Sequence, residues 1–174
     1  MKTVADYIKS IPDFPKPGIV FRDVTSVLES PEGFKLAMDE MIGKLDGVEF
    51  DLIAGAEARG FIFGAPIAYA LGKGFVPVRK KGKLPRESVS TAYELEYGTA
   101  EIEIHKDAIK PGQRVVIVDD LIATGGTIEA TARLIEELGG VVVKALFLIE
   151  LPALNGRAKL SKYDVESIVS FDGE

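Results

Sequence analysis

The apolar residues of this chain change their spacing several times, and each change marks an element. The clearest stretch runs from Arg114 to Ile149. Val115-Val116-Ile117-Val118 is wholly apolar, as in a strand covered on both faces, and Ile128, Thr131, Ala132, Ile135 and Leu138 then recur at helical spacing. Asp119 to Gly126 reads as the loop between them, Gly139-Gly140 closes the helix, and Val141 to Ile149 gives a second buried strand. This predicts a β–α–β unit with parallel strands and a right-handed crossover. Earlier, Leu52-Ile53-Ala54 predicts a short strand ending at Gly55, followed by a loop over Ala56 to Gly60, an apolar helix to about Leu71 closed by Gly72, and a strand over Phe75 to Arg79. Pro66 inside that helix requires a late start or a kink.

The remaining segments are shorter. Ser30-Pro31-Glu32 combines a capping hydroxyl, a first-turn proline and an acid near the positive helix end. Phe34, Ala37, Met38, Met41, Ile42 and Leu45 form the inner stripe of that helix, and Gly47 its end. Thr3 to Ile11 predicts a short helix, Pro12, Pro15 and Pro17 an extended chain, and Ile19 to Phe21 a short strand. Tyr93, Leu95 and Tyr97 alternate with Glu94 and Glu96, and Ile102 and Ile104 with Glu101 and Glu103, which predicts a hairpin around Gly98 with one wet face. His105 reads as a surface residue. A short helix near Asn155 to Leu160 and a strand near Val165 to Phe171 complete the chain. The sum is a single α/β domain over residues 1–174, an open, mostly parallel twisted sheet flanked by helices.

Composition narrows the chemistry. At 174 residues, 47% hydrophobic and 28% charged, the chain suits one globular domain. Zero cysteines exclude disulfides, thiolate metal sites and a cysteine nucleophile, and the single His105 excludes any site needing two histidines. A net charge of −6 argues against nucleic acid as a general partner. No apolar run reaches the roughly 20 residues of a membrane span, and MKTVADYIKSIPDFP lacks the apolar stretch of a secretory signal. A cytoplasmic protein is therefore expected, with no membrane partner.

Ligands of such sheets bind beyond the carboxyl ends of the strands, which points to three loops: Ala56–Gly60, Lys80–Ser90 and Asp119–Thr127. In the third, two acids end a buried strand and a glycine-containing loop opens a helix. Backbone N–H groups there, with the Thr124 and Thr127 hydroxyls, suit a phosphate, and Gly125 and Gly126 permit close approach. Asp119 and Asp120 suit hydroxyl groups or a hydrated magnesium ion instead. Acids beside a phosphate cradle suggest a sugar phosphate; the bland alternative is a capped helix and a turn. Neither G-x-x-x-x-G-K-[ST] nor G-x-G-x-x-G occurs. Arg79, Lys80, Lys81, Lys83 and Arg86 form an acid-free basic stretch, which taken alone reads as a solvated loop and otherwise as a lure for a polyanion.

VVIVDDLIATGGT resembles the phosphoribosyl pyrophosphate motif of type I phosphoribosyltransferases, and its LIATGGT form resembles the adenine branch. FPKPGIVFRD at 14–23, EARGF at 57–61, RKKGKLP at 79–85, YELEYGTAEIEIHKDAI at 93–109 and PGQRVVIVDDL at 111–121 agree, so the resemblance covers nearly the whole chain. It implies the type I fold with a small N-terminal hood over about 1–30 and a mobile hairpin lid over about 87–104. It implies transfer of phosphoribose from phosphoribosyl pyrophosphate to N9 of adenine, giving AMP and pyrophosphate, with Mg2+ as cofactor and a homodimer as the assembly. By the same resemblance, Ala123, Thr124, Gly125, Gly126 and Thr127 cradle the 5′-phosphate, and Asp119 and Asp120 face the ribose hydroxyls or magnesium-bound waters, with no direct metal ligand. Glu57, Ala58 and Arg59 match the pyrophosphate loop, Arg59 meeting the leaving group, and Arg79, Lys80 and Lys83 assist it. Val20 matches the residue whose backbone reads adenine, Phe21 and Arg22 pack nearby, and Leu151 covers the base. Glu96 matches a general acid or base, and Tyr97 a lid hinge. The apolar helix around Phe61 to Ile67 suits either a dimer interface or plain core.

Overall fold

The computed structural model describes residues 1–95 and 97–173. In chain order it carries strands β1 (Lys9–Ile11) and β2 (Phe21–Asp23), helices α1 (Thr25–Leu28) and α2 (Pro31–Gly43), strand β3 (Leu52–Ala56), helix α3 (Arg59–Leu71), and strands β4 (Gly74–Lys80), β5 (Ser88–Glu94), β6 (Thr99–His105) and β7 (Arg114–Ile122). Helix α4 (Gly126–Glu137), strand β8 (Val141–Glu150), helix α5 (Gly156–Lys159) and strand β9 (Val165–Ser170) follow. A seven-stranded sheet in the order β5-β6-β4-β3-β7-β8-β9 carries the fold, and β1 and β2 form a separate ribbon. The run β4-β3-β7-β8-β9 is parallel; β6 pairs antiparallel with both β4 and β5.

The sheet is apolar on both faces because each is covered. On one, Val115 and Ile117 pack with Ile128, Ala132 and Ile135 of α4. On the other, Val116 and Val118 meet Ala37 and Met41 of α2 and Phe63 and Ile67 of α3. The alternating residues of β7 thus feed two cores, which is why its sequence is apolar without a break. No helix among the described residues is long and apolar enough to cross a membrane.

Several expectations are corrected. Residues 3–11 are not one helix: a 3₁₀ turn over Val4–Tyr7 gives way to β1, and the second strand lies at Phe21–Asp23 rather than Ile19 to Phe21. Val4 and Ile8 are buried, but Ile11 is exposed, so the apolar spacing there marks two anchors and no helix face. Helix α2 ends at Gly43, and Gly47, with φ 76°, belongs to the turn beyond it. Helix α3 runs from Arg59 with Pro66 inside it, and Gly72 ends it in the left-handed conformation. Strand β7 extends to Ile122, which places Asp119 and Asp120 in the strand rather than in a loop.

Two acid–base residues were misread. Glu103 and His105 are buried, 5% and 7% exposed. The face of β6 expected to be wet is covered by the basic loop. Glu103 accepts hydrogen bonds from the N–H groups of Gly82 and Leu84 and from the Ser88 hydroxyl, and His105 accepts from the N–H of Arg86. Those contacts hold Glu103 below the usual carboxylate range despite burial, which acts the other way.

Candidate active site

Strand order reverses direction between β3 and β7: the chain leaves β3 toward β4 and leaves β7 toward β8. Loops diverging at such a point leave a crevice at the strands' carboxyl ends. Here the two are the turn at Glu57–Ala58 and the segment Ala123–Gly125. They sit close together, since a Cβ on Gly60 would stand 3.2 Å from an Asp119 carboxylate oxygen and from the Val118 carbonyl. The Glu57–Ala58 peptide is cis.

Ala123 to Thr127 form the wall of a cavity of about 190 Å³ with Arg59, Asp119 and Asp120. No side chain caps α4, whose N-cap is Gly125 with φ 84°, so its first-turn N–H groups face an end suited to an anion. Both glycines behind this turn are needed for space. A Cβ on Gly125 would stand 2.7 Å from the Gly156 carbonyl, and one on Gly156 would stand 2.5 Å from the Ala123 carbonyl. Arg157 fixes α5 in that place: it donates to both oxygens of Glu150, at 2.7 and 2.8 Å, and to the Val165 carbonyl at 2.8 Å. Ser167 donates to the same carboxylate. The guanidinium and hydroxyl hold Glu150 below the usual carboxylate range.

The two acids are unlike. Asp120, 6% exposed, pairs with Arg59 at 2.5 Å. Asp119 is partly buried and accepts from the Asp120 N–H at 2.8 Å. Desolvation, reinforced by the Asp120 carboxylate, pushes Asp119 well above the usual carboxylate range. A second cavity, about 230 Å³, lies over Glu57, Ala58 and Arg59 and reaches Asp119 and Thr127. A third, about 260 Å³, is lined by Val20, Phe21, Arg22 and Leu151, with Arg59 and Asp120 also on its wall. All three cavities share Arg59 and Asp120.

In the third cavity neither the N–H nor the C=O of Val20 has a hydrogen-bond partner among the described residues. Arg22 stacks on Phe171, 4.3 Å from its ring centroid, and Phe21 meets Phe14 edge-on at 5.2 Å. Ile19, Asp23, Thr25 and Leu121 also line it. Nothing in the spacing of Ile19, Asp23 and Thr25 marked them, because the segment before α2 carries no sustained period, and Leu121 read only as the residue after two acids.

The basic stretch is divided. Arg79 donates to Glu57 at 3.3 Å, and the same carboxylate oxygen accepts from the Lys80 N–H at 2.8 Å. These contacts hold Glu57 below its usual range, and its carboxylate is spent on strand β4. Lys80 and Lys83 are exposed and line none of the three cavities. The hairpin is present as β5 and β6. Glu96 lies outside the described residues. Tyr97 is exposed, with the Lys16 ammonium 5.7 Å from its ring centroid.

Residues 23–173 match the model of the phosphoribosyl transferase domain family. An adenine phosphoribosyltransferase of Agathobacter rectalis is 70% identical over all 174 residues of this chain and all of its own length. The crystal structure of adenine phosphoribosyltransferase from Thermoanaerobacter pseudethanolicus is 58% identical with a TM-score of 0.93, covering 97% of this chain and 98% of that one. The Saccharomyces cerevisiae enzyme, solved with an imino-altritol bisphosphate and adenine, is 41% identical with a TM-score of 0.89, covering 95% and 96%. With relatives this close along their whole lengths, the chain belongs to the adenine phosphoribosyltransferase family.

Proposed function

We propose that the three joined cavities divide one reaction among them: transfer of phosphoribose from phosphoribosyl pyrophosphate to N9 of adenine, giving AMP and pyrophosphate. The observation that carries this is their common edge. A sugar whose C1 exchanges pyrophosphate for a base needs an anchor, a base site and a leaving-group site meeting at one point, and the cavities meet at Arg59 and Asp120.

Ala123 to Thr127 hold the 5′-phosphate. Asp120 accepts from a ribose hydroxyl once Arg59 turns from it to the pyrophosphate oxygens, and Asp119 faces the sugar beside it. As pyrophosphate leaves and C1 gains oxocarbenium character, Arg59 and the backbone at Ala58 take up the departing charge. Arg79, aimed by Glu57, and Lys80 and Lys83 raise the local concentration of the polyanion. Val20 offers adenine a donor–acceptor pair; hypoxanthine, with a carbonyl in place of the amine, would leave these groups mismatched. Phe21, Arg22 and Leu151 exclude water from the base. The hairpin acts as a lid, Glu96 as the acid or base at the purine's imidazole edge, and Tyr97 as part of the hinge.

The carboxylates suit magnesium through water rather than directly: Asp120 is paired with Arg59, and Asp119 is partly buried and accepts from the Asp120 N–H. Substrate oxygens would hold the ion, which would offset charge on the pyrophosphate. We place the enzyme in the cytoplasm as a homodimer. Helix α3 supports the latter: Phe63 and Ile67 are core, whereas Ile62 and Tyr69 stand exposed on its outer side. AMP formation from adenine, phosphoribosyl pyrophosphate and magnesium tests the reading, with hypoxanthine, guanine and orotate in parallel. Product from adenine alone is expected. Product from another base would overturn the Val20 pocket, and tight binding without product would leave a non-catalytic sensor.

A further inference from the structure

A fourth cavity, about 320 Å³, lies where strand β5 of the hairpin crosses the first turns of α4, with Tyr93, Gly126, Arg133 and Lys159 among its walls. Its charges are of both signs and suit no single ligand. Its inner wall is informative instead, because there the hairpin touches the phosphate cradle. The Tyr93 and Thr127 hydroxyls are hydrogen-bonded at 3.0 Å. The Tyr93 ring stands 3.6 Å from where a Cβ on Gly126 would be. From about two turns further along α4, Arg133 donates to the Ala92 carbonyl at 3.2 Å and lies 3.5 Å from the Thr91 hydroxyl. Three consecutive residues of β5 are thus pinned to the helix whose first turn is the cradle.

The chemistry of the hydroxyl pair gives this contact a direction. Each hydroxyl has one proton to donate and can also accept. Alone, the pair can point either way. A phosphate dianion at the cradle only accepts, so Thr127 must give it its proton, and Tyr93 must then donate to Thr127. The result is a chain from Tyr93 through Thr127 to a phosphate oxygen, in which each bond polarises the next. We infer that Tyr93 is a positioning residue that ties the lid hairpin to occupancy of the 5′-phosphate site, strengthening the hold of α4 on β5 when the phosphate is bound. This rests on the cradle reading above.

Tyr93→Phe keeps the ring packing and removes only the hydroxyl. Ribose 5-phosphate, which carries neither base nor pyrophosphate, is the probe. Binding is read by calorimetry, and hydrogen exchange is followed across β5. In the wild type the probe should slow β5 exchange several-fold. In Tyr93→Phe it should bind about fivefold more weakly, and at saturation the slowing should be absent. The KM for phosphoribosyl pyrophosphate should rise by a similar factor. The penalty should persist in a Thr127→Ser background, which keeps a hydroxyl, and vanish in Thr127→Val, which has none. Equal protection in Tyr93→Phe and wild type, or a full penalty in Thr127→Val, would overturn the inference. Failure of the wild type to bind ribose 5-phosphate would overturn the cradle reading itself, and this inference with it.

Discussion

The proposed phosphate cradle and the proposed base pocket meet at Arg59 but are built by different means. The cradle is walled by backbone packed on backbone, Gly125 and Gly156 nearly in contact and α5 fixed by three Arg157 hydrogen bonds. The base pocket is walled by residues 19–25, attached to the three-pair ribbon of β1 and β2, whose β1 residues are all exposed. A dianion is best served by N–H groups that need no rearrangement. A flat base needs one donor–acceptor pair and walls that close on it. The difference therefore predicts a rigid anchor beside a pocket that tolerates change.

The largest effect should come where the two regions join. Arg59→Ala removes the one cationic side chain common to all three cavities, and kcat/KM should fall on the order of 10²–10³-fold for both substrates. Steady-state kinetics retaining more than a tenth of the activity would remove Arg59 from the reaction. Next comes the anchor. Gly156→Ala drives a methyl group into the Ala123 carbonyl, so kcat/KM for phosphoribosyl pyrophosphate should fall about 100-fold, while adenine binding by equilibrium dialysis stays within about threefold. Equal losses for both substrates would mean that the regions are not separable.

The acids make smaller and opposite predictions. Asp119 has a raised folded pKa, so its contribution to stability is full at low pH and is lost as pH rises from the unfolded value toward the folded one. Asp119→Asn should therefore raise Tm at neutral pH, by about 2–4 °C per kcal/mol relieved, while lowering activity more than about tenfold. A lower Tm would contradict the upward shift of Asp119. Glu150 is the converse. Its folded pKa is depressed, so its contribution is present above the unfolded value of 4.5 and lost as pH falls through the folded one. Glu150→Gln should cost about 1–2 kcal/mol at pH 7, and the difference from wild type should shrink on acidification. A gap that stays constant down to pH 3 would exclude the ion pair as its cause.

Legibility followed the same division. Val115 to Thr127 could be read because a strand buried on both faces and a glycine turn leave a compositional trace, although the loop was drawn too long at both ends: β7 runs on to Ile122 and α4 starts at Gly126. Glu103 and His105 could not be read. Alternation gave them a face, but the cover for that face is a basic loop that packs through its N–H groups, which sequence does not display. Arg157 and Tyr93 were missed for a related reason. Their partners, Glu150 and Thr127, lie on other elements, and only the packing of α5 and β5 onto the cradle brings them together. Residues 3–11 were misread as one helix because Val4 and Ile8, which anchor a 3₁₀ turn and its end, happen to fall at helical spacing.

The smallest effect should be found where the N-terminal segment meets the hairpin. The Lys16 ammonium lies 5.7 Å from the Tyr97 ring centroid, and both side chains belong to exposed residues. A cation over a solvated ring contributes little, because water competes for the charge. Lys16→Ala should thus leave Tm within about 1 °C and change the KM for adenine less than about threefold, with the KM for phosphoribosyl pyrophosphate unaltered. A tenfold rise in the adenine KM would show that hood and hairpin close on the base as one unit. The base pocket would then be as firmly built as the cradle once its ligand is present, and the contrast between the two regions would hold only for the free enzyme.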